Sequence, residues 1–250
     1  MKFELDLLQN AMDSLREALS KFSEGSVSNI SAYKFSVLHF SHFLELLFKY
    51  HVSESHPLLI YKNPFSKKIE KENTIGLWDA IQFLRNEGKE FSSDFSKDLE
   101  WLKKLRNDIE HHKFEMNVLD VRRTLGRLIR ATDEFNDYYG VFDISERLIG
   151  PHLSIYKELL DEYTSKIKDA RISAKSKSEN KTTYDCTHCG ESDTAALISG
   201  HYICQLCEEK ESIVQCCRCG DNFRDSETIL WNEDYDEYMC DYCYSHISSM

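Results

Sequence analysis

Two groups of side chains in this sequence have the types and spacing that chemistry needs. The first is a set of eight cysteines in two similar blocks. Cys186-x2-Cys189-Gly190 is followed by Cys204-x2-Cys207, and Cys216-x2-Cys219-Gly220 by Cys240-x2-Cys243. Paired C-x2-C units roughly 15 to 20 residues apart have the spacing of tetrahedral four-cysteine zinc sites, with thiolates as ligands. Cys217 is then an odd thiol, and His188, His201 and His246 are less suited as ligands. The second group is LRNDIEHH, residues 105–112, which sets an arginine, an amide, two carboxylates and two histidines close together in a helix-forming stretch. Arg106 offers a guanidinium suited to a phosphate. His111 offers an imidazole that exchanges a proton near neutral pH. Asn107 and His111 stand at i and i+4, on one face of a helix, whereas Arg106 and His111 are about 140° apart around it. Asp108 and Glu110 could hold His112 or Lys103 in place; the plain alternative is a solvated helix end, with both as simple surface carboxylates.

The surroundings of the cysteines support a metal-built module over residues 184–250. A glycine directly after the first pair of each block suits a tight turn at positive φ. AALISGHYIC and ETILWNEDYDEYMC each resemble a short hairpin running into the second pair. Repetition of one layout favours two sequential zinc ribbons holding two structural Zn²⁺ ions, while the spacing by itself leaves a cross-braced pair of sites open. So short a segment holds little apolar core, and metal would supply most of its stability.

Before the cysteines the pattern is helical throughout. Leu8, Met12, Leu15, Leu19 and Phe22 recur at spacings of three and four, the mark of an amphipathic helix over 2–22. A second helix over about 31–51 is apolar nearly all round and reads as central. His39 and His42 on it are expected to be buried and satisfied. A connecting segment with two prolines precedes a short helix in TIGLWDAIQFL, and a fourth helix starts near Phe95 with Leu99, Leu102 and Ile109 in register. Asn117 followed by Asp120 reads as a cap opening a fifth helix. A sixth begins near Ser145 with a kink at Gly150-Pro151 and fades into a Ser- and Lys-rich linker over 171–183. The expectation is a mostly α protein: a helical domain over 1–170, a linker, and a small β-rich module of two four-cysteine ribbons.

Charge separates the two parts. From Lys181 onward there are fourteen Asp and Glu against four Lys and Arg, so this tail carries −10 of the total −12. Nucleic-acid phosphates demand Lys and Arg, which argues against duplex binding by the ribbons and for a surface that docks a protein partner or the basic part of the helical domain; Trp231, Tyr235, Tyr238, Tyr242 and Tyr244 would be its apolar anchors or else fill a small core. Carboxylates within MKFELDLLQNAMDSL leave no unbroken apolar core for a signal peptide. The most apolar stretch, Tyr33–Val52, is interrupted by Lys34, Glu45 and Lys49, so no membrane span is expected. A reducing, cytoplasmic setting follows, where clustered cysteines bind metal rather than form disulfides.

The segment at Arg106 resembles the R-x4-6-H motif of the HEPN superfamily, small helical bundles that include toxin and antiviral-defence ribonucleases. In these the residue after the arginine is commonly Asn, Asp or His; here Arg106, Asn107 and His111 fit the shortest spacing and His112 the next. The resemblance covers about residues 1–170. Lys113 stands where toxins paired with a nucleotidyltransferase antitoxin often carry a tyrosine. The resemblance implies a metal-independent endoribonuclease acting on tRNA or mRNA at a homodimer interface. His111 would be the proton-transfer group, Arg106 the phosphate ligand and Asn107 the orienting amide. The alternative is a non-catalytic HEPN-like module that acts with its ribbons as an adaptor or regulatory subunit. A DNA-binding regulator would need a basic face, for which only the linker and FSKKIEK offer clustered lysines.

Overall fold

A computed structural model describes residues 6–89, 91, 93–111, 118–139, 142–232 and 236–248; at 93, 94, 97, 98, 101, 104, 105, 110, 111, 118–120 and 248 it describes the backbone alone. The chain divides into two compact units, Met1–Thr164 and Ser165–Met250.

The first unit is helical. Helix α1 (Leu7–Glu24) opens with a capping box in which the Gln9 amide donates to Asp6 Oδ1 at 2.7 Å and the Asp6 amide to Gln9 Oε1 at 3.2 Å. These bonds satisfy two of the amide groups that a helix start leaves unpaired. The expected stripe of α1 is buried at Met12, Leu15, Leu19 and Phe22. Helix α2 (Ile30–Ser55) is buried on most of its circumference, with Val37, Phe40, Phe43, Leu44, Leu47, Phe48 and Val52 almost fully covered. Its Ser36 hydroxyl donates to the Ala18 carbonyl of α1 at 2.7 Å, so a polar group at that interface is satisfied internally. After two short 3-10 turns come α3 (Leu77–Asn86), α4 (Ser93–His111) and α5 (Val118–Tyr139). Phe95, Leu99, Leu102 and Ile109 of α4 and Val121, Leu125, Leu128, Ile129 and Phe135 of α5 join the α1–α2 core. The expected cap at Asn117 lies outside the described residues.

Helix α6 (Gly150–Lys177) departs from expectation at both ends. Ser145–Arg147 is a separate 3-10 turn, and Pro151 sits in the first turn of α6 rather than at a kink. Proline is tolerated there because the first amides of a helix have no intrahelical acceptor. At the other end the helix continues through residues 171–177, which the composition marks as linker. The reason is a narrow buried stripe, Ile167, Ala170 and Ala174, at spacings of three and four. Alanine favours helix and buries without a visible apolar run.

The second unit joins the end of α6 to β-structure. Strands β1 (Thr183–Tyr184), β2 (Ala195–Ile198), β3 (His201–Cys204), β4 (Lys210–Gln215) and β5 (Asn222–Arg224) form one antiparallel sheet in sequence order. β6 (Thr228–Asn232) and β7 (Glu237–Cys240) form a second hairpin, followed by helix α7 (Asp241–Ser248). The two expected hairpins are thus β2–β3 and β6–β7. Strand β4 ties the cysteine blocks together: its Lys210–Ser212 half pairs with β3 and its Ile213–Gln215 half with β5.

Two features of the first unit generate predictions. Gly126 of α5 lies against α6 so closely that a Cβ there would stand 2.6 Å from Tyr163 Cβ and 2.8 Å from the Leu159 carbonyl oxygen. A backbone oxygen cannot give way as a side chain can. In Gly126→Ala, this overpacking, about 1–3 kcal/mol, is expected to exceed the roughly 1 kcal/mol alanine gains in helix propensity. Urea denaturation should show a net loss. The second feature is His51, 1% exposed, edge-on to Phe135 at a centroid distance of 4.6 Å and with neither ring nitrogen hydrogen-bonded among the described residues. Burial, reinforced by the charge of Lys89, pushes its pKa down from 6.5 to about 4. The folded state therefore keeps the imidazole neutral while the unfolded chain takes up a proton below about pH 6.5. His51 contributes full stability above that pH and loses it as pH falls toward 4, by about 3 kcal/mol in all. Asp133, whose carboxyl burial pushes up to about 6, acts in the opposite sense, so the measurement is a difference. The stability of wild type minus that of His51→Leu should fall between pH 6.5 and 4 and stay flat above 7.

Candidate functional site

The eight paired cysteines gather block by block. Sγ atoms of Cys186, Cys189, Cys204 and Cys207 lie within 4.8 Å of one another, as do those of Cys216, Cys219, Cys240 and Cys243. Ligation is therefore sequential, and each group could hold one metal ion. Individual separations fit a tetrahedron: Cys186 to Cys207 is 3.6 Å, Cys189 to Cys204 is 3.8 Å and Cys219 to Cys240 is 4.0 Å. Four sulfurs about 2.3 Å from a central ion would be about 3.8 Å apart.

The backbone orients the sulfurs. Gly190 and Gly220 adopt φ of +73° and +76°, and their amides donate to the Cys186 and Cys216 carbonyls. The second pair of the first block repeats this turn with Glu208 at φ +64°. Amides of Leu206 and Cys207 point at Cys204 Sγ, that of Cys189 at Cys186 Sγ and that of Cys240 at Cys216 Sγ, each at 3.4 Å. Amide donors around a sulfur favour its thiolate form. In the second block the last pair differs, because Cys243 lies in α7. Cys217, His188, His201 and His246 belong to neither group. Cys217 instead donates its backbone amide to the Tyr238 carbonyl, and His246 stacks on Tyr242.

The expected aromatic anchors are mostly at the surface. Trp231, Tyr242 and Tyr244 are exposed together with Ile229 and Leu230. Tyr238 is half-buried, and Tyr235 lies outside the described residues. The small core of this block is built instead from Cys216, Met239, Cys240 and Cys243 with Phe223 and Ile247.

In the helical unit, α4 carries Arg106 and Asn107 near its end and His111 as its last residue. Asn107 is exposed; the side chain of His111 lies outside the described residues, as does all of His112. Arg106 is pinned from α2: its Nη1 donates to Glu45 Oε2 at 3.2 Å, while Lys49 Nζ donates to Glu45 Oε1 at 2.7 Å and to Thr74 Oγ1 at 3.0 Å. Burial pushes the Glu45 carboxyl up, but the hydrogen bonds and charges of Lys49 and Arg106 outweigh it and hold the group below the usual range. Although paired, the Arg106 side chain remains 42% exposed. Lys103 lies over the Trp78 ring.

His42 lies one turn before Glu45, with its Nδ1 3.0 Å from Ser14 Oγ. Its pKa is lowered by burial and by the charges of Lys49, His39 and Arg106, against the pull of Glu45. His42 is exposed and His39 half-buried, contrary to expectation; the buried histidine of α2 is His51. The sequence reading thus missed Glu45, Lys49 and His42 as neighbours of Arg106. Their one signal was polarity in an otherwise apolar helix. Among the described residues, no helix is long and apolar enough to cross a membrane. Comparisons of the chain with family models, curated proteins and solved structures found no match.

The cysteine geometry makes a stoichiometric prediction. Purified protein should carry two metal equivalents by atomic emission; Cys189→Ser should carry one, and Cys217→Ser should keep two. Prolonged exposure to a strong chelator should melt the second unit and leave most of the helical circular-dichroism signal, since no cysteine lies before residue 186.

Proposed function

We propose that the helical unit is a HEPN-type, metal-independent endoribonuclease, a toxin or antiviral-defence effector, and that its ribbons hold two structural Zn²⁺ ions. The observation that supports this reading best is the state of Arg106. An ion pair from the central helix orients its guanidinium, while the side chain as a whole stays half-exposed. It is followed by an exposed amide and, at the end of the same helix, by His111. Four thiolates in a tetrahedron suit zinc, which stabilises such modules and needs no redox partner.

In the reaction a base removes the ribose 2′-hydroxyl proton and the freed oxygen attacks phosphorus. The bond to the 5′-oxygen breaks as an acid returns a proton to it, leaving a 2′,3′-cyclic phosphate. An imidazole serves either proton transfer near pH 7, so a homodimer bringing together two copies of His111 supplies both. Arg106 stabilises the charge that grows on the phosphoryl oxygens, and Asn107 orients the phosphate or the imidazole. Glu45 is a positioning residue: it holds one edge of the Arg106 guanidinium and leaves its charge in place. The exposed Ile229–Trp231 edge, set in an acidic surface, is where a protein partner would dock.

An adaptor would use the Arg106–Glu45 pair only to join α4 to α2, and the two readings part on activity. Purified protein, with total tRNA and a single-stranded RNA pool in buffer without divalent ions, is expected to cut RNA. His111→Ala should lower the rate by about 10²–10⁴-fold at unchanged melting temperature, and Arg106→Ala by about 10²–10³-fold. Glu45→Gln should lower kcat roughly tenfold, the worth of one charge-assisted hydrogen bond of about 1.5 kcal/mol. A folded His111→Ala variant that cuts at the wild-type rate would remove the enzyme reading and leave the adaptor.

A further inference from the structure

We propose that the last turns of α6 and the first ribbon form a binding site for the phosphodiester backbone of single-stranded RNA. The polymer named here rests on the ribonuclease reading; the anion chemistry does not. Arg171 and Lys175, one turn apart on α6, line a cleft of about 510 Å³ together with Lys181, Thr182, Thr183 and Asp193.

Three observations give the cleft its character. The first is the distribution of charge. Residues 165–181 hold six Lys and Arg against Asp169 and Glu179, whereas Thr182–Met250 hold three against fourteen acids. Helix formation turns what reads as a linker into a rigid basic surface set in an acidic module. A polyanion is repelled by the rest of that module and attracted here.

The second is that the cations are built in place. Arg171 Nε donates to the Ser192 carbonyl at 3.0 Å, which orients the guanidinium. Past the helix end, the Lys181 amide donates to the Ser178 carbonyl, and Asn180 Oδ1 accepts from the Thr182 amide. The Glu179 amide bonds to the Leu197 carbonyl of β2, fixing the turn to the ribbon. This turn holds Lys181 at φ +58°, a conformation in which a non-glycine residue costs about 1–2 kcal/mol. Glycine would relieve that strain, so the lysine is not explained by the needs of the turn.

The third is what the two lysines do not contact. Among the described residues, the side chains of Lys175 and Lys181 have no hydrogen-bond or ion-pair partner, despite the surplus of carboxylates in the same unit. Among the described residues that line the cleft the acid is Asp193, which accepts from the Thr183 hydroxyl at 2.6 Å. Its charge stays, and restricts phosphate to the side lined by the two lysines and Arg171. With so few cations the site takes about two phosphates and no base-specific contact, so it holds the strand without reading sequence.

The test uses full-length protein carrying His111→Ala and a fluorescently labelled 12-nucleotide single-stranded RNA, with binding followed by anisotropy at several salt concentrations. Adding Lys175→Ala and Lys181→Gly should raise Kd at least tenfold. It should also shallow the slope of log K against log salt by about 1.4, two phosphates at about 0.7 each for a single strand. Metal content and melting temperature should hold, since neither lysine has a partner and glycine suits the turn. Unchanged affinity and slope in a folded, metal-loaded double variant would overturn the site, as would no binding by the parent protein. Inorganic polyphosphate that competes equally per phosphate would overturn the assignment to RNA. If RNA binds here but wild-type protein never cuts it, the site stands and the ribonuclease reading falls.

Discussion

A helix that is apolar on nearly every side has to be surrounded, and α2 imposes that condition on the whole first unit. Val37, Phe40, Phe43, Leu44, Leu47, Phe48 and Val52 point in several directions and are nearly all buried, so α1, α3, α4 and α5 are laid around them. Within this apolar setting the Glu45 carboxylate is tolerable only because Lys49 and Arg106 both donate to it. Removing water from a charge is costly unless another charge replaces it. The same requirement therefore fixes where α4 sits and where its arginine points. Fold and candidate site share one electrostatic cause.

The second unit solves a different problem. Its described cores are small, and the cysteines are themselves among their most buried members. A cluster of four thiols with amides aimed at the sulfurs is a poor core unless a cation sits among them, because thiolates side by side repel. Strand β4 couples the blocks by pairing half with β3 and half with β5, so order in one block propagates to the other through backbone hydrogen bonds.

Charge is divided unevenly along the chain. Acids accumulate around the ribbons, while the cations of the second unit gather at the end of α6. The cation proposed for chemistry, Arg106, is held by a partner from the core, and of the cations proposed for binding Lys175 and Lys181 are exposed while Arg171 is oriented by the Ser192 carbonyl. This difference follows the demands of each role: a group that stabilises a transition state must be oriented beforehand, whereas one that captures a mobile polyanion needs only proximity and charge.

The sequence by itself determined the helical class of the first unit, because periods of three and four in α1, α4 and α5 state which face is buried. It also determined the two four-cysteine groups, because a C-x2-C pair followed by glycine is a local turn that needs nothing distant. It left sequential and cross-braced ligation open, since sulfur-to-sulfur distances depend on how hairpins pack; the tertiary structure decided for sequential. It misplaced the end of α6, where the burial of Ala170 and Ala174 depends on what packs against them and small residues leave no apolar signature. It missed Glu45 beside Arg106, 61 positions apart in the chain. A salt bridge between two helices is a fact about their packing, which no local pattern encodes.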